Sequence, residues 1–435
     1  MIVTNKLLYS YNDLTVVPAE ISEIKSRKEC NPFISSGENE GMLPIFASPM
    51  ATITNERNIT IWNQNNIIPI LPRNIGATCF DSIEARLENI SEFIQSGNWV
   101  ALSLKEFEYL FASEDTENMD ETFRPVPGNT YRICVDLANG HMSHLYDVIN
   151  KAKAYSRDRG YTLIVMTGNI ANPQTYKWIC TYAEVDYIRL SIGTGYNCIT
   201  STQTSIHYPI ASLIEECYLI KKNIRKRTTE NKLNAHFDYM YYPNLDDSIF
   251  FGRPVKSCPM IVADGGIRGY ADVIKALALG ADYVMIGSLF TGLLESAAPL
   301  NIECYNSYYK YNFNNGIVND GIRDILDIWE SDSDDTQHET MKRGFIKDMK
   351  EIIKESYGMS TKKAQKMINP NAKTKTSEGC TKYINVKETV KQWTENMCAY
   401  LMSAMSYTNK RELAEFQGNV NLVVNSSCAI LAVNK

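Results

Sequence analysis

MIVADGGIRGYADVIKALALGADYVMIGS, residues Met260 to Ser288, holds two short apolar runs, Met260–Ala263 and Tyr283–Ile286, on either side of a helix-like stretch, Ala271–Leu279. Short runs that are apolar throughout, separated by an amphipathic helix, describe one βαβ unit whose parallel strands are buried on both faces. The same alternation recurs upstream, with apolar runs at Pro44–Ser48, Ile67–Leu71, Trp99–Leu104, Tyr131–Leu137, Thr162–Thr167 and Tyr187–Ile192. Helix-like patterns follow several of them, at Asp81–Gln95, Ser143–Tyr155 and Gln174–Ala183. Eight such strands match the count of a closed (β/α)8 TIM barrel in the α/β class, whose reactive loops follow the C-terminal ends of the strands. An open doubly wound sheet is the alternative that periodicity leaves standing.

Two stretches interrupt the alternation. One runs from the basic KKNIRKR into the aromatic and acidic HFDYMYYPNLDDSIFF; the other follows the eighth strand and contains ESDSDD. We read residues 1–435 as a single barrel domain with excursions at about 222–256 and 301–344 and a mobile flap at about 357–380, long connections of this kind being lids or linkers. The acidic run reads as a solvated surface and the basic run as an exposed helix face.

Composition narrows the function. Charged residues make up 22% of the chain and the net charge is −6, which leaves no broad basic surface for nucleic acid. The start, MIVTNKLLYSYNDLT, lacks a basic segment followed by an apolar one, and no apolar run approaches the length of a membrane span. A cytoplasmic protein with no membrane partner is expected. The 11 cysteines, scattered and without a CxxC pair, fit reduced thiols, and the 5 histidines form no zinc set with them.

Chemistry concentrates after the sixth, seventh and eighth strands. Ile192-Gly193-Thr194-Gly195-Tyr196-Asn197-Cys198-Ile199-Thr200 is a glycine-rich loop that places a thiol at a strand end, where a neighbour able to take its proton makes it a nucleophile. Alone, the same loop also describes a small buried cysteine. Asp264, Gly265 and Gly266 after the seventh strand, with Gly287 and Ser288 after the eighth, occupy the loops in which barrels commonly bind phosphate through backbone N–H groups. Asp264 would repel a phosphate but suits the diol of a ribose.

These residues, together with VVPA (Val16–Ala19), IKSR (Ile24–Arg27), FASPM (Phe46–Met50), IVADGGIRG and YGMS, resemble the IMP dehydrogenase and GMP reductase family from about Leu14 to Thr291 and again from Tyr357 onward. The resemblance implies a purine nucleoside 5′-monophosphate, GMP or IMP, as small-molecule ligand, a nicotinamide cofactor, and a thioimidate between Cys198 and purine C2. Cys198 and Thr200 match the family's Cys-x-Thr, while Gly195, Tyr196, Asn197 and Tyr357-Gly358-Met359-Ser360 fall on substrate-binding segments. For some members the resemblance also implies a monovalent cation such as K+, held here by backbone carbonyls of Gly193, Gly195 and Cys198. A homo-oligomer, typically a tetramer, is implied as well.

Within the family, the residues side with the reductase branch and NADPH. The segment after Ser360 lacks the Arg-Tyr pair with which dehydrogenases activate water and carries Ser377-Glu378-Gly379, similar to the reductase segment whose Glu assists proton transfer; Glu378 joins Cys198 and Thr200 as a catalytic candidate. Asp136-Leu137-Ala138-Asn139-Gly140-His141 resembles the reductase DxANG motif. With Lys105 and Asn169, the residues Asp136, Asn139 and Gly140 are the implied cofactor contacts. No paired regulatory module interrupts the barrel, and the C-terminal helix resembles that of bacterial GMP reductases. An IMP dehydrogenase stripped of its regulatory module, or a nucleotide-binding protein without turnover, are the competing readings. Departures at Ala51, Pro72, Tyr196 and Ile210, each away from the residue usual there, bear on cofactor and substrate choice.

Overall fold

In the computed structural model, which describes residues 6–75, 83–113, 124–230, 255–301, 353–368 and 379–426, the apolar runs are strands of one closed barrel. They are β1 (Ile45–Ala47), β2 (Ile68–Leu71), β3 (Trp99–Leu102), β4 (Thr130–Asp136), β5 (Thr162–Ile170), β6 (Tyr187–Leu190), β7 (Met260–Asp264) and β8 (Tyr283–Ile286). Each pairs in parallel with its neighbour, and β1 pairs with β8 through Ile45–Val284, Phe46–Met285 and Ala47–Ile286, which excludes the open sheet. The expected third strand stops at Leu102 because Ser103 caps a helical turn, its hydroxyl accepting from Glu106 N while the Glu106 carboxylate accepts from Ser103 N.

Alternation along the strands separates two apolar layers. Phe46, Ile68, Ile70, Trp99, Cys134 and Met166 belong to a cluster inside the barrel, and their strand neighbours Ile45, Leu71, Val100, Ile133 and Val165 pack outward against helices. At the N-terminal strand ends Phe46, Trp99, Tyr187 and Tyr283 meet with ring centroids 5.0 to 5.9 Å apart, and the buried Asn39 amide donates to both tyrosine hydroxyls. Filling one end with aromatic area leaves the other end as the place for a ligand.

The surrounding helices include α1 (Ile59–Gln64), α2 (Ile83–Gln95), α3 (Ser143–Arg159), α4 (Pro173–Tyr182), α5 (Ile210–Glu230), α6 (Tyr270–Ala278) and α7 (Val390–Tyr407). KKNIRKR begins within α5, where Lys221 is buried against Asp282; the acidic and aromatic parts of the excursions lie outside the described residues. Helix α7 closes the ring by burying Trp393, Met397, Leu401 and Met405, four residues apart, and its N-cap Thr389 accepts from Gln392 N. Strands Leu14–Val16 and Leu422–Val424 pair antiparallel outside the barrel. No described helix is long and apolar enough to cross a membrane.

A three-stranded antiparallel sheet stands beside the C-terminal end of the barrel, formed by β9 (Leu300–Asn301), β10 (Ile353–Tyr357) and β11 (Thr381–Asn385). It is pinned by Lys354, whose buried Nζ lies 2.7 to 2.9 Å from the carbonyl oxygens of Leu293, Leu294 and Ser296 and from the Ser296 hydroxyl.

Candidate active site

The loop after β6 turns on Gly193. Its φ is +77°, and a Cβ there would stand 2.6 Å from Ser201 Cβ, so only glycine lets the loop fold back on the helical turn Thr200–Thr204. This places the Cys198 thiol 3.2 Å from the Thr200 hydroxyl. Cys198 is half-buried, unlike Cys134, Cys180 and Cys217, which are core residues whose thiols are pushed up by burial, that of Cys134 to about 12. Those three are structural; Cys198 is reachable.

Two of the candidates, Asp136 and Asp264, are joined by an arginine that the sequence alone does not single out. Arg189, third residue of β6, is buried and directs Nη1 to Asp136 Oδ1 at 2.7 Å, while Nε and Nη2 reach Asp264 Oδ2 at 2.9 and 2.8 Å. Asn169 Nδ2 donates to the same Asp264 oxygen at 2.7 Å. Burial by itself would lower the arginine pKa, but Asp264, Cys134 and Asp136 outweigh it and hold the group charged. A charge inside the apolar strand Tyr-Ile-Arg-Leu was the available signal, since a buried guanidinium requires carboxylate partners.

The glycine loops after β7 and β8 complete the rim. Gly265 has φ +112°, and a Cβ on it would lie 2.5 Å from Thr194 Oγ1, so the two loops are in close apposition. Gly287 backs onto Met50, whose sulfur would be 3.3 Å from an added Cβ.

The sheet beside the barrel covers the Cys loop. Asn197 Nδ2 donates to Ser356 Oγ at 2.7 Å, Cys380 N donates to Asn197 O at 2.9 Å, and Gly379 forms an isolated antiparallel bridge with Cys198. Lys382 Nζ donates to Tyr196 O at 2.7 Å. Glu378 lies outside the described residues; its neighbour Gly379 is the one bridged to Cys198.

Together these elements enclose a cleft of 260 Å³. From the loop after β6 it is lined by Gly193, Gly195, Tyr196, Asn197, Cys198 and Thr200, and from the later loops by Asp264, Gly265, Gly266, Gly287 and Ser288. Gly358, Met359 and Ser360 close it from β10, and Asp136 and Asn169 reach it from β4 and β5. Four expected residues lie off its surface. Lys105 and Asn139 are exposed, and Gly140 is packed so tightly on Gly168 and Asn169 that a Cβ would be 2.8 Å from Asn169 O. Tyr357 is buried with its hydroxyl on Met367 Sδ, and burial pushes that phenol up to about 12. Next to Asn139, His141 Nε2 accepts from Ala171 N, so the proton sits on Nδ1 facing Thr175. Burial also lowers the His141 pKa.

A profile of the IMP dehydrogenase / GMP reductase domain matches residues 8–229 and 255–323. The chain belongs to that family. It is 27% identical over 311 residues to a GMP reductase of Staphylococcus carnosus, covering 70% of this chain and 78% of that one. It is 25% identical over 307 residues to a GMP reductase of Pediococcus pentosaceus and 26% identical over 307 residues to one of Helicobacter pylori, each covering 70% of this chain and 77% of the relative.

Proposed function

We propose that this protein catalyses the NADPH-dependent reductive deamination of GMP to IMP and ammonia. The observation that carries the reading is the reachable Cys198 thiol beside the Thr200 hydroxyl, in a cleft rimmed by the glycine loops after β7 and β8. Backbone N–H groups of Gly265, Gly266, Gly287 and Ser288 would hold the 5′-phosphate, and Asp264 would accept from the ribose diol. Three relatives named GMP reductase support this assignment over the dehydrogenase reading.

Cys198 adds as thiolate to purine C2, the C2–N bond breaks, and the amine leaves with a proton delivered through Thr200 and Glu378. NADPH, when bound, supplies the hydride that C2 requires. The C–S bond then breaks, the electron pair returns to Cys198, and IMP is released. For the cofactor, Asn169 at the cleft offers an amide and the exposed Lys105 and Asn139 a cation and a second amide, while Asp136, paired with Arg189, offers a carboxylate suited to a hydroxyl and not to a phosphate. The carbonyl cage for K+ fits less well. Gly193 O accepts from Ser201 Oγ and Gly195 O from Cys198 N, so two of its three carbonyls serve the loop itself, and we assign no step to a cation.

A panel of purine monophosphates against NADPH and NAD+, read at the nicotinamide absorbance, tests the reading. Loss of NADPH with GMP, and ammonia released, is expected. NADH formed from IMP and NAD+ would make the protein a dehydrogenase, and tight nucleotide binding with no absorbance change would make it a binding protein.

A further inference from the structure

Charge in the cleft does not balance for the ligand proposed above. Among the described residues that line it, the charged ones are Asp136, Arg189 and Asp264, and the single guanidinium is already shared between both carboxylates. A nucleoside monophosphate brings a phosphate with a charge of about −1.5 to −2 at neutral pH, and placing it beside a net negative floor is costly without a cation.

We propose that Lys382 is the phosphate-binding cation of this site, carried to the substrate on β11 and seated by the ring of Tyr196. This inference rests on the functional reading above. Tyr196 lines the cleft and is 51% exposed, and the Lys382 ammonium lies 3.6 Å from its ring centroid while donating to its carbonyl at 2.7 Å. No carboxylate of a described residue pairs with Lys382, in contrast to Lys363, which lies over the Tyr357 ring but is spent on Glu355.

An ammonium has three hydrogens; here one goes to a carbonyl and the ring face takes the charge of another, which leaves donor capacity for an anion. The strand itself is held in place. Lys382 is opposite Ser356, which accepts from Asn197, and Cys380 N donates to Asn197 O, so the loop bearing the nucleophile also positions this cation.

The test is calorimetric binding of GMP and of guanosine to the full-length protein and to its Lys382→Met and Lys382→Arg variants. Lys382→Met should weaken GMP by about ten- to a hundred-fold, the range for a hydrogen bond to a charged group, with guanosine changed by less than about three-fold. Lys382→Arg should restore most of the GMP affinity. Unchanged GMP affinity in Lys382→Met would overturn the inference, as would equal losses for GMP and guanosine, which would make Lys382 a prop for Tyr196. A wild-type protein that binds neither ligand would overturn the functional reading itself, and this inference with it.

Discussion

Arg189 and Asp264 are joined twice across β6 and β7, Nε and Nη2 of the arginine both donating to Oδ2 of the carboxylate at 2.9 and 2.8 Å. Asp136 takes the remaining arm from β4, so one guanidinium ties three strands together in the cleft that Cys198 also lines. Arg189→Met would leave two carboxylates facing one another with no cation between them. Removing one partner of a buried ion pair costs about 3–5 kcal/mol, and the midpoint of urea unfolding should fall accordingly. A midpoint equal to wild type would show that the cluster contributes nothing to the fold.

Cys198→Ala should abolish turnover and leave nucleotide affinity within a few-fold, because the thiol makes the covalent bond while other loops hold the phosphate. Substantial residual turnover in this variant would refute the covalent mechanism.

Gly287→Asp should weaken monophosphate binding severely. The new carboxylate would face the phosphate, and its Cβ would press on Met50 Sδ, 3.3 Å away. Titration with GMP and guanosine separates the two effects, since charge repulsion affects the nucleotide alone.

Glu378→Gln should divide the two half-reactions. Deamination should slow by about 10²- to 10⁴-fold, the range of a general acid or base, whereas IMP with NADP+ should still give a single-turnover burst of NADPH. Equal loss in both directions would mean that Glu378 organises its segment and moves no proton.

Lys354→Met should change how stability depends on pH. Burial lowers the Lys354 pKa to about 7 against the opposing influence of Glu295, while an unfolded lysine titrates near 10.4. Between those values the unfolded chain holds a proton that the folded one has released, so this group makes stability rise with pH, by at most about 1.4 kcal/mol per unit, and the gain is lost as pH falls toward 7. Relative to Lys354→Met, the wild-type midpoint in urea should therefore improve from pH 7 to pH 9. Parallel profiles would show that Lys354 keeps an ordinary pKa.

Strand and helix identity in the barrel was legible because it is a local matter. Met260–Ala263 and Tyr283–Ile286 are too apolar to face water on either side, and the stretch between them repeats with helical period, whatever the rest of the chain does. The Cys198 loop was legible for the same reason, its glycines marking a bend at a strand end. Tertiary structure alone decided which side chains meet. Arg189 finds Asp136 and Asp264 at separations of 53 and 75 residues, a pairing that exists only once β4, β6 and β7 are set in register by closure of the barrel. Ser356 and Tyr357 are consecutive in β10, yet strand alternation buries the tyrosine on Met367 and gives the serine to Asn197. Lys382 reads in sequence as one more surface lysine, and only the pairing of β10 with β11 beside the Cys loop puts its ammonium over Tyr196. Periodicity reports the environment of a residue within a few positions of itself; the partner of a charge is set by chain closure, which no local pattern encodes.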